Sequence, residues 1–128
     1  MEFAILERDK QTSASMHELS IALGIVKIAE DERQKANAQK VDRIELEIGA
    51  LSGVELDSLD FVWPMAVKDT ALEKAIYEVD YVKGKAECLE CGQSYPIENL
   101  FDSCPTCNGY FKDVVAGKEL RVKALEVS

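Results

Sequence analysis

Three observations predict a small α+β fold with a metal-held lobe. They are a helix-period apolar run near the N-terminus, alternating apolar strands on either side of a second helical run, and four cysteines in two Cys-x-x-Cys knuckles. The expected architecture is two helices and three strands, with a zinc ribbon inserted before the last strand. One lobe is then residues 16–82 with 114–128, and the ribbon is residues 83–113. Residues 1–15 stand apart as an N-terminal extension, with Gln11-Thr12-Ser13-Ala14-Ser15 expected as a flexible join.

Leu19, Ala22, Leu23, Val26 and Ala29 recur at helical spacing, and Ile21, Ile25 and Ile28 widen that face, so a well-buried first helix is expected. Its polar tail runs from Glu30 to Asn37. Ile44, Leu46 and Ile48 alternate with Arg43, Glu45 and Glu47 in the pattern of a half-buried strand ending at Gly49. Leu56, Leu59, Val62, Trp63 and Ala66 predict a second helix, which Pro64 should kink or shorten. Ala75, Tyr77, Val79 and Tyr81 read as the second strand, and Leu120, Val122, Leu125 and Val127 as the third.

The bulk properties exclude several classes. With 128 residues, 47% of them hydrophobic and 30% charged, the chain has the composition of a globular protein. Its most apolar stretch, Leu19 to Ala29, is broken by Ser20 and Lys27 and falls well short of the roughly 20 apolar residues that a bilayer needs. A net charge of −9 repels nucleic acid and anionic lipid, so neither is expected as a partner. The ribbon has no basic footprint: Lys83, Lys85 and Lys112 stand against Glu87, Glu90, Glu98, Asp102 and Asp113.

Cys88 and Cys91 form one knuckle, Cys104 and Cys107 the other. Two such turns aim four thiolates at one point, which suits a borderline-soft divalent ion in a closed, structural site. Two disulfides are the alternative in an oxidising compartment. Met1 to Asp9 lacks the basic start, apolar core and small-residue cleavage site of an export signal, so a cytoplasmic location and zinc are expected. Tyr95, Phe101, Tyr110 and Phe111 are expected to pack beside the metal as a miniature core, in preference to stacking on nucleic-acid bases.

The single histidine, His17, lies in Met16-His17-Glu18. If Met16 were the first residue, its α-amine, the following amides, the imidazole and the Glu18 carboxylate would converge on one ion. Nitrogen-rich coordination of that kind suits nickel(II) or copper(II). Ser15-Met16-His17-Glu18 equally satisfies the Ser-x-x-Glu capping box that starts a helix. Both explain Glu18.

Met16-His17-Glu18-Leu19-Ser20-Ile21, Ile48-Gly49-Ala50-Leu51-Ser52-Gly53-Val54-Glu55, the two knuckles, and Gly117-Lys118-Glu119-Leu120 with Leu125-Glu126-Val127 occur in one order. In this the sequence resembles the HypA/HybF family of hydrogenase nickel-incorporation proteins from Met16 to Val127. The resemblance implies a nickel-binding α+β domain joined to a structural zinc domain, and delivery of Ni(2+) as transient cargo to the large subunit of [NiFe]-hydrogenase. Some members also serve urease. It implies nickel ligation by His17 and Glu18, by the amine of Met16 where that residue is terminal, and by Glu55, for which a dipole-complementing helix start is the other role. It makes Cys88, Cys91, Cys104 and Cys107 the Zn(2+) ligands. The implied partners are the GTPase HypB, the hydrogenase large-subunit precursor and urease maturation proteins, with the chain a monomer or homodimer. In the family the triplet opens the chain, whereas fifteen residues precede it in this sequence. No nucleophile stands with a base and no phosphate loop is present, so no enzyme is expected. The alternative is a zinc-ribbon protein-protein adaptor without nickel transfer.

Overall fold

The structure, a computed structural model, describes the backbone of residues 10–128 and the side chains of residues 16–128. Its elements in order are α1 (Lys10–Lys35), β1 (Val41–Gly49), α2 (Leu56–Val67), β2 (Ile76–Val82), β3 (Lys85–Cys88), β4 (Ser94–Pro96), β5 (Lys112–Ala116) and β6 (Leu120–Val127). The three expected strands are β1, β2 and β6, which form one sheet in the order β2-β1-β6. The ribbon adds a second sheet in the order β4-β3-β5.

Helix α1 begins earlier than the capping box predicts. The expected flexible extension lies outside the described residues as far as residue 9, and from Lys10 the chain is already helical. No Gly or Pro interrupts Lys10 to Leu23, so nothing breaks the helix where Ser15 was expected to cap it. The helix ends where Asn37 takes φ 54°, while Ala36 N–H donates to Glu32 O and Ala38 N–H to Arg33 O. Glu18, Ala22, Ile25, Val26 and Ala29 form the buried face, which packs on α2. That face is narrower than expected. Leu23 and Ile28 are about half exposed and lie off the buried stripe of the helix.

Helix α2 does not stop at Pro64. Pro64 is exposed, and the helix continues to Val67 because Ala66 and Val67 bury its last turn. Beneath it Trp63 stacks on Tyr77 with ring centroids 4.4 Å apart. The Tyr77 hydroxyl donates to Asp60 Oδ1 at 2.9 Å. Burial, and then that carboxylate, raise the phenol well above its ordinary pKa. Ile44, Leu46 and Ile48 of β1 are fully buried, as their alternation predicts. Strand β6 runs opposite to β1: Ser128 N–H donates to Lys40 O at one end, and Gly49 N–H to Glu119 O at the other.

The chain divides into two compact units, Met1–Glu45 with Glu55–Glu78 and Val122–Ser128, and Leu46–Val54 with Val79–Arg121. The second extends past the expected ribbon of residues 83–113, because β5 pairs with β3 and carries residues 114–116 into the ribbon sheet. The core of that unit is Ala86, Cys88, Tyr95, Ile97 and Cys104, flanked by Leu51 and Val114. Of the four aromatics expected there, Tyr95 alone is buried; Phe101, Tyr110 and Phe111 are 84, 66 and 73% exposed. Tyr95 is the middle residue of β4, where strand alternation turns it inward, and Ala86, Ile97 and two cysteines complete the remaining space.

Three glycines in this unit allow backbones to touch. A Cβ on Gly49 would lie 2.0 Å from Gly117 O, one on Gly84 would lie 2.4 Å from Ile97 O, and one on Gly117 would lie 2.8 Å from Gly84 Cα. Gly117 also takes φ 113°, which side-chain-bearing residues rarely adopt.

Candidate metal centres

The two knuckles match bond for bond. Cys88 N–H donates to Gln93 O and Cys104 N–H to Gly109 O, both at 2.8 Å. Gly92 N–H returns to Cys88 O at 2.9 Å, and Asn108 N–H to Cys104 O at 2.8 Å. Each turn closes on a left-handed residue, Gly92 at φ 82° and Asn108 at φ 62°, the residue types that adopt this conformation most readily. The end of β3 sets the first knuckle, because Cys88 is its last residue.

The four Sγ atoms lie within 4.8 Å of one another, with Cys88 to Cys107 and Cys91 to Cys104 at 3.6 Å. A tetrahedral ion with metal–sulfur bonds of about 2.3 Å needs sulfur–sulfur edges of about 3.8 Å, so the quartet fits a zinc-sized ion with little adjustment. Cys88 and Cys104 are buried, Cys91 and Cys107 exposed. The Cys91 and Glu90 amides pull the Cys88 thiol below its ordinary pKa against the effect of burial. Burial raises Cys104, but the amides of Cys107 and Thr106 outweigh it and bring the thiol down to about 7. Amide donors therefore favour the thiolate form at these two cysteines. The Tyr95 hydroxyl is buried in this unit without a hydrogen-bond partner among the described residues.

The second candidate centre is built on α1. Glu18 is 1% exposed, whereas its neighbour His17 is 62% exposed at the side chain. Glu18 Oε2 accepts the Glu55 N–H at 2.9 Å and lies 3.2 Å from His17 Nδ1. Glu55 is the N-cap of α2 and makes no capping bond of its own, so the carboxylate of another helix satisfies that helix start. Glu18 Oε1 has no partner among the described residues. With the proton on His17 Nδ1, the bond to Glu18 leaves Nε2 as the basic nitrogen, the arrangement by which a carboxylate orients a metal-binding imidazole.

The structure therefore joins His17, Glu18 and Glu55, but Glu55 enters through its backbone. Among the described residues, the cysteine quartet is the group of three or more ligand side chains that converges. Met16, half-buried within α1, presents a peptide nitrogen. The Glu18 to Glu55 contact spans 37 residues and left no local signal in the sequence.

Residues 16–127 match the family described as "Hydrogenase/urease nickel incorporation, metallochaperone, hypA". The chain is 43% identical over 112 residues to hydrogenase maturation factor HypA of Parabacteroides distasonis, covering 88% of this chain and 97% of that protein. It is 44% identical to the factor of the same name from Geobacter metallireducens, covering 88% and 99%. Among solved structures, the Ni metallochaperone HypA of Helicobacter pylori superposes with a TM-score of 0.62 at 20% identity, covering 86% of this chain and 96% of that one. A second solution structure of a HypA protein gives 0.65 at 23% identity, covering 88% and 97%. The structural likenesses bear on the fold.

Proposed function

We propose, because the chain belongs to the HypA family of hydrogenase and urease nickel-incorporation metallochaperones, that it binds Ni(II) as cargo at Met16-His17-Glu18 and delivers it to the large-subunit precursor of [NiFe]-hydrogenase. The observation that carries this is the buried Glu18 carboxylate, which touches both His17 and the start of α2. The exposed imidazole supplies Nε2, Glu18 fixes its ring, and Glu55, which meets Glu18 through its backbone amide, is the further oxygen donor the family resemblance implies.

Backbone nitrogens enter only in one form of the chain. Inside a helix each N–H is bonded to the carbonyl four residues earlier, and α1 starting at Lys10 holds the amides of the triplet in this way. A chain initiated at Met16 would carry a terminal amine, and its first four N–H groups would be free of intrahelical bonds. That form supplies the nitrogen-rich set that nickel favours.

Cys88, Cys91, Cys104 and Cys107 would hold Zn(2+), whose role is to complete a lobe with a small core of its own. No helix among the described residues is long and apolar enough to cross a membrane, in keeping with action in the cytoplasm. A carrier that must release its cargo needs a partner to drive transfer, and the GTPase HypB is the one the family implies.

The test is calorimetric nickel titration of the zinc-loaded 128-residue chain and of one beginning at Met16, each beside its His17→Ala variant. Tight one-to-one binding in the shorter chain that disappears with His17 supports the site. Nickel binding unaffected by His17→Ala in both would overturn it and leave the adaptor as the better account.

A further inference from the structure

Leu89, Phe101, Tyr110 and Phe111 are 66, 84, 66 and 73% exposed, and Leu100 is 49% exposed. They belong to one surface. The Lys112 ammonium donates to the Leu100 and Tyr110 carbonyls at 2.9 Å each, drawing the two loops together, and Leu89 N–H donates to Phe111 O at 3.0 Å. The loop carrying Phe101 is braced: the Asp102 carboxylate accepts the Glu98 and Asn99 amides, and Phe101 N–H donates to Asn99 Oδ1. Large apolar side chains held out in water on a rigid lobe have the composition of a recognition surface.

The charge around them selects the partner. The ribbon's residues 83–113 carry Glu87, Glu90, Glu98, Asp102 and Asp113 against Lys83, Lys85 and Lys112, and the Lys112 ammonium is occupied by the two carbonyls. Glu87 and Asp113, both exposed, stand directly opposite each other across the β3–β5 pair. Like charges so placed repel, and a cation brought against them removes the repulsion. A second copy would bring the same sign of charge, as would nucleic acid or an anionic bilayer. An arginine-bearing segment answers both features, because guanidinium pairs with carboxylates and stacks on aromatic faces.

We propose that the Leu89, Leu100, Phe101, Tyr110 and Phe111 surface of the four-cysteine lobe docks a cationic protein segment whose arginines alternate with aliphatic side chains. This surface is separate from the triplet and stands whether or not His17 binds nickel.

The experiment titrates the full, zinc-loaded, 15N-labelled chain with three short synthetic peptides, alternating Arg and Leu, Glu and Leu, or Arg and Ser. The Arg–Leu peptide is expected to shift the amides of Leu89, Phe101, Tyr110 and Phe111. Its affinity should fall at least about tenfold in Phe101→Ser/Phe111→Ser, and also in Glu87→Lys/Asp113→Lys, with zinc content unchanged in both. His17→Ala should bind as the parent does. Equal binding of the Arg–Ser peptide, shifts mapping elsewhere, or undiminished binding by the zinc-loaded variants would overturn the proposal. So would sedimentation showing self-association that the double serine variant abolishes, since the occupant would then be a second copy.

Discussion

Replacing Glu18 by alanine separates its structural role from nickel binding. The substitution leaves the Glu55 amide without the acceptor it has at 2.9 Å, a loss of about 1–3 kcal/mol for a buried donor. It also removes one buried methylene, worth about 0.8 kcal/mol, since alanine keeps the Cβ. Against these, Glu18 Oε1 has no partner among the described residues, and its removal relieves a penalty of the same order as the orphaned amide. The unpaired-group terms roughly cancel and the methylene decides the sign, so Glu18→Ala should destabilise by about 0.8 kcal/mol. At about 1.5 kcal/mol per molar urea this lowers the unfolding midpoint by about 0.5 M. Trp63 is the single tryptophan, buried at 6% and in the same unit as Glu18, so its fluorescence reports the relevant unit alone. Glu18→Gln keeps the methylene and an oxygen for the Glu55 amide, so it should lose less than Glu18→Ala. His17→Ala, at a 62% exposed side chain, should stay within about 0.5 kcal/mol of the parent. A Glu18→Ala midpoint equal to the parent's, beside a lowered one for His17→Ala, would refute the reasoning.

Two further outcomes test other parts of the fold. Gly117→Ala adds a Cβ 2.8 Å from Gly84 Cα at φ 113°, so it should cost about 2 kcal/mol and speed zinc loss to a colorimetric chelator. Gly53→Ala, at φ 83° but with nothing within 4 Å, should show a smaller effect, and equal effects would mean that the glycine contact does not matter. Glu30→Gln should cost about 0.5–1 kcal/mol at neutral pH, since Glu30 accepts Arg33 Nε at 2.7 Å and Ala71 N–H at 3.2 Å. Its carboxyl is held below the ordinary 4.5, chiefly by the Arg33 hydrogen bond. Its contribution is therefore present above 4.5 and lost as pH falls through the depressed value, so the variant and parent stabilities should converge in acid. A gap that persists there contradicts the pairing.

The four cysteines were legible because ligand spacing is a local property, and the knuckle bonds repeat it within six residues each. Strand β1 was legible because Ile44, Leu46 and Ile48 alternate against one buried face. The aromatics of the ribbon were not. Phe101 and Tyr110 sit in loops, where no period says which side chain turns inward, and composition alone suggested a core that Ala86, Ile97 and the cysteines already fill. The start of α1 was missed for a different reason. Ser15 and Glu18 fit a capping box, yet a box is a helix start only if the preceding residues leave the helix, and nothing in Lys10 to Ala14 forces them to. The Gly49, Gly84 and Gly117 contacts join positions far apart in sequence, so no local pattern marks them.

Glu18 shows how two sequence-level explanations can both miss the third that the fold uses. Neither the capping box nor the ligand accounts for a carboxylate buried at 1% exposure and bonded to the amide of residue 55. That bond sets a condition on the proposed nickel site. If the ion took Glu18 Oε2, the Glu55 amide would lose its acceptor at a cost of about 1–3 kcal/mol, weakening nickel by roughly fivefold to more than a hundredfold. If it took Oε1, which has no partner among the described residues, the Glu55 bond would survive and an orphaned oxygen would gain a charge to face. The second mode is favoured on that difference. Nickel bound in that mode would leave the Glu55 bond in place, and its release would then require no rearrangement of the α2 start.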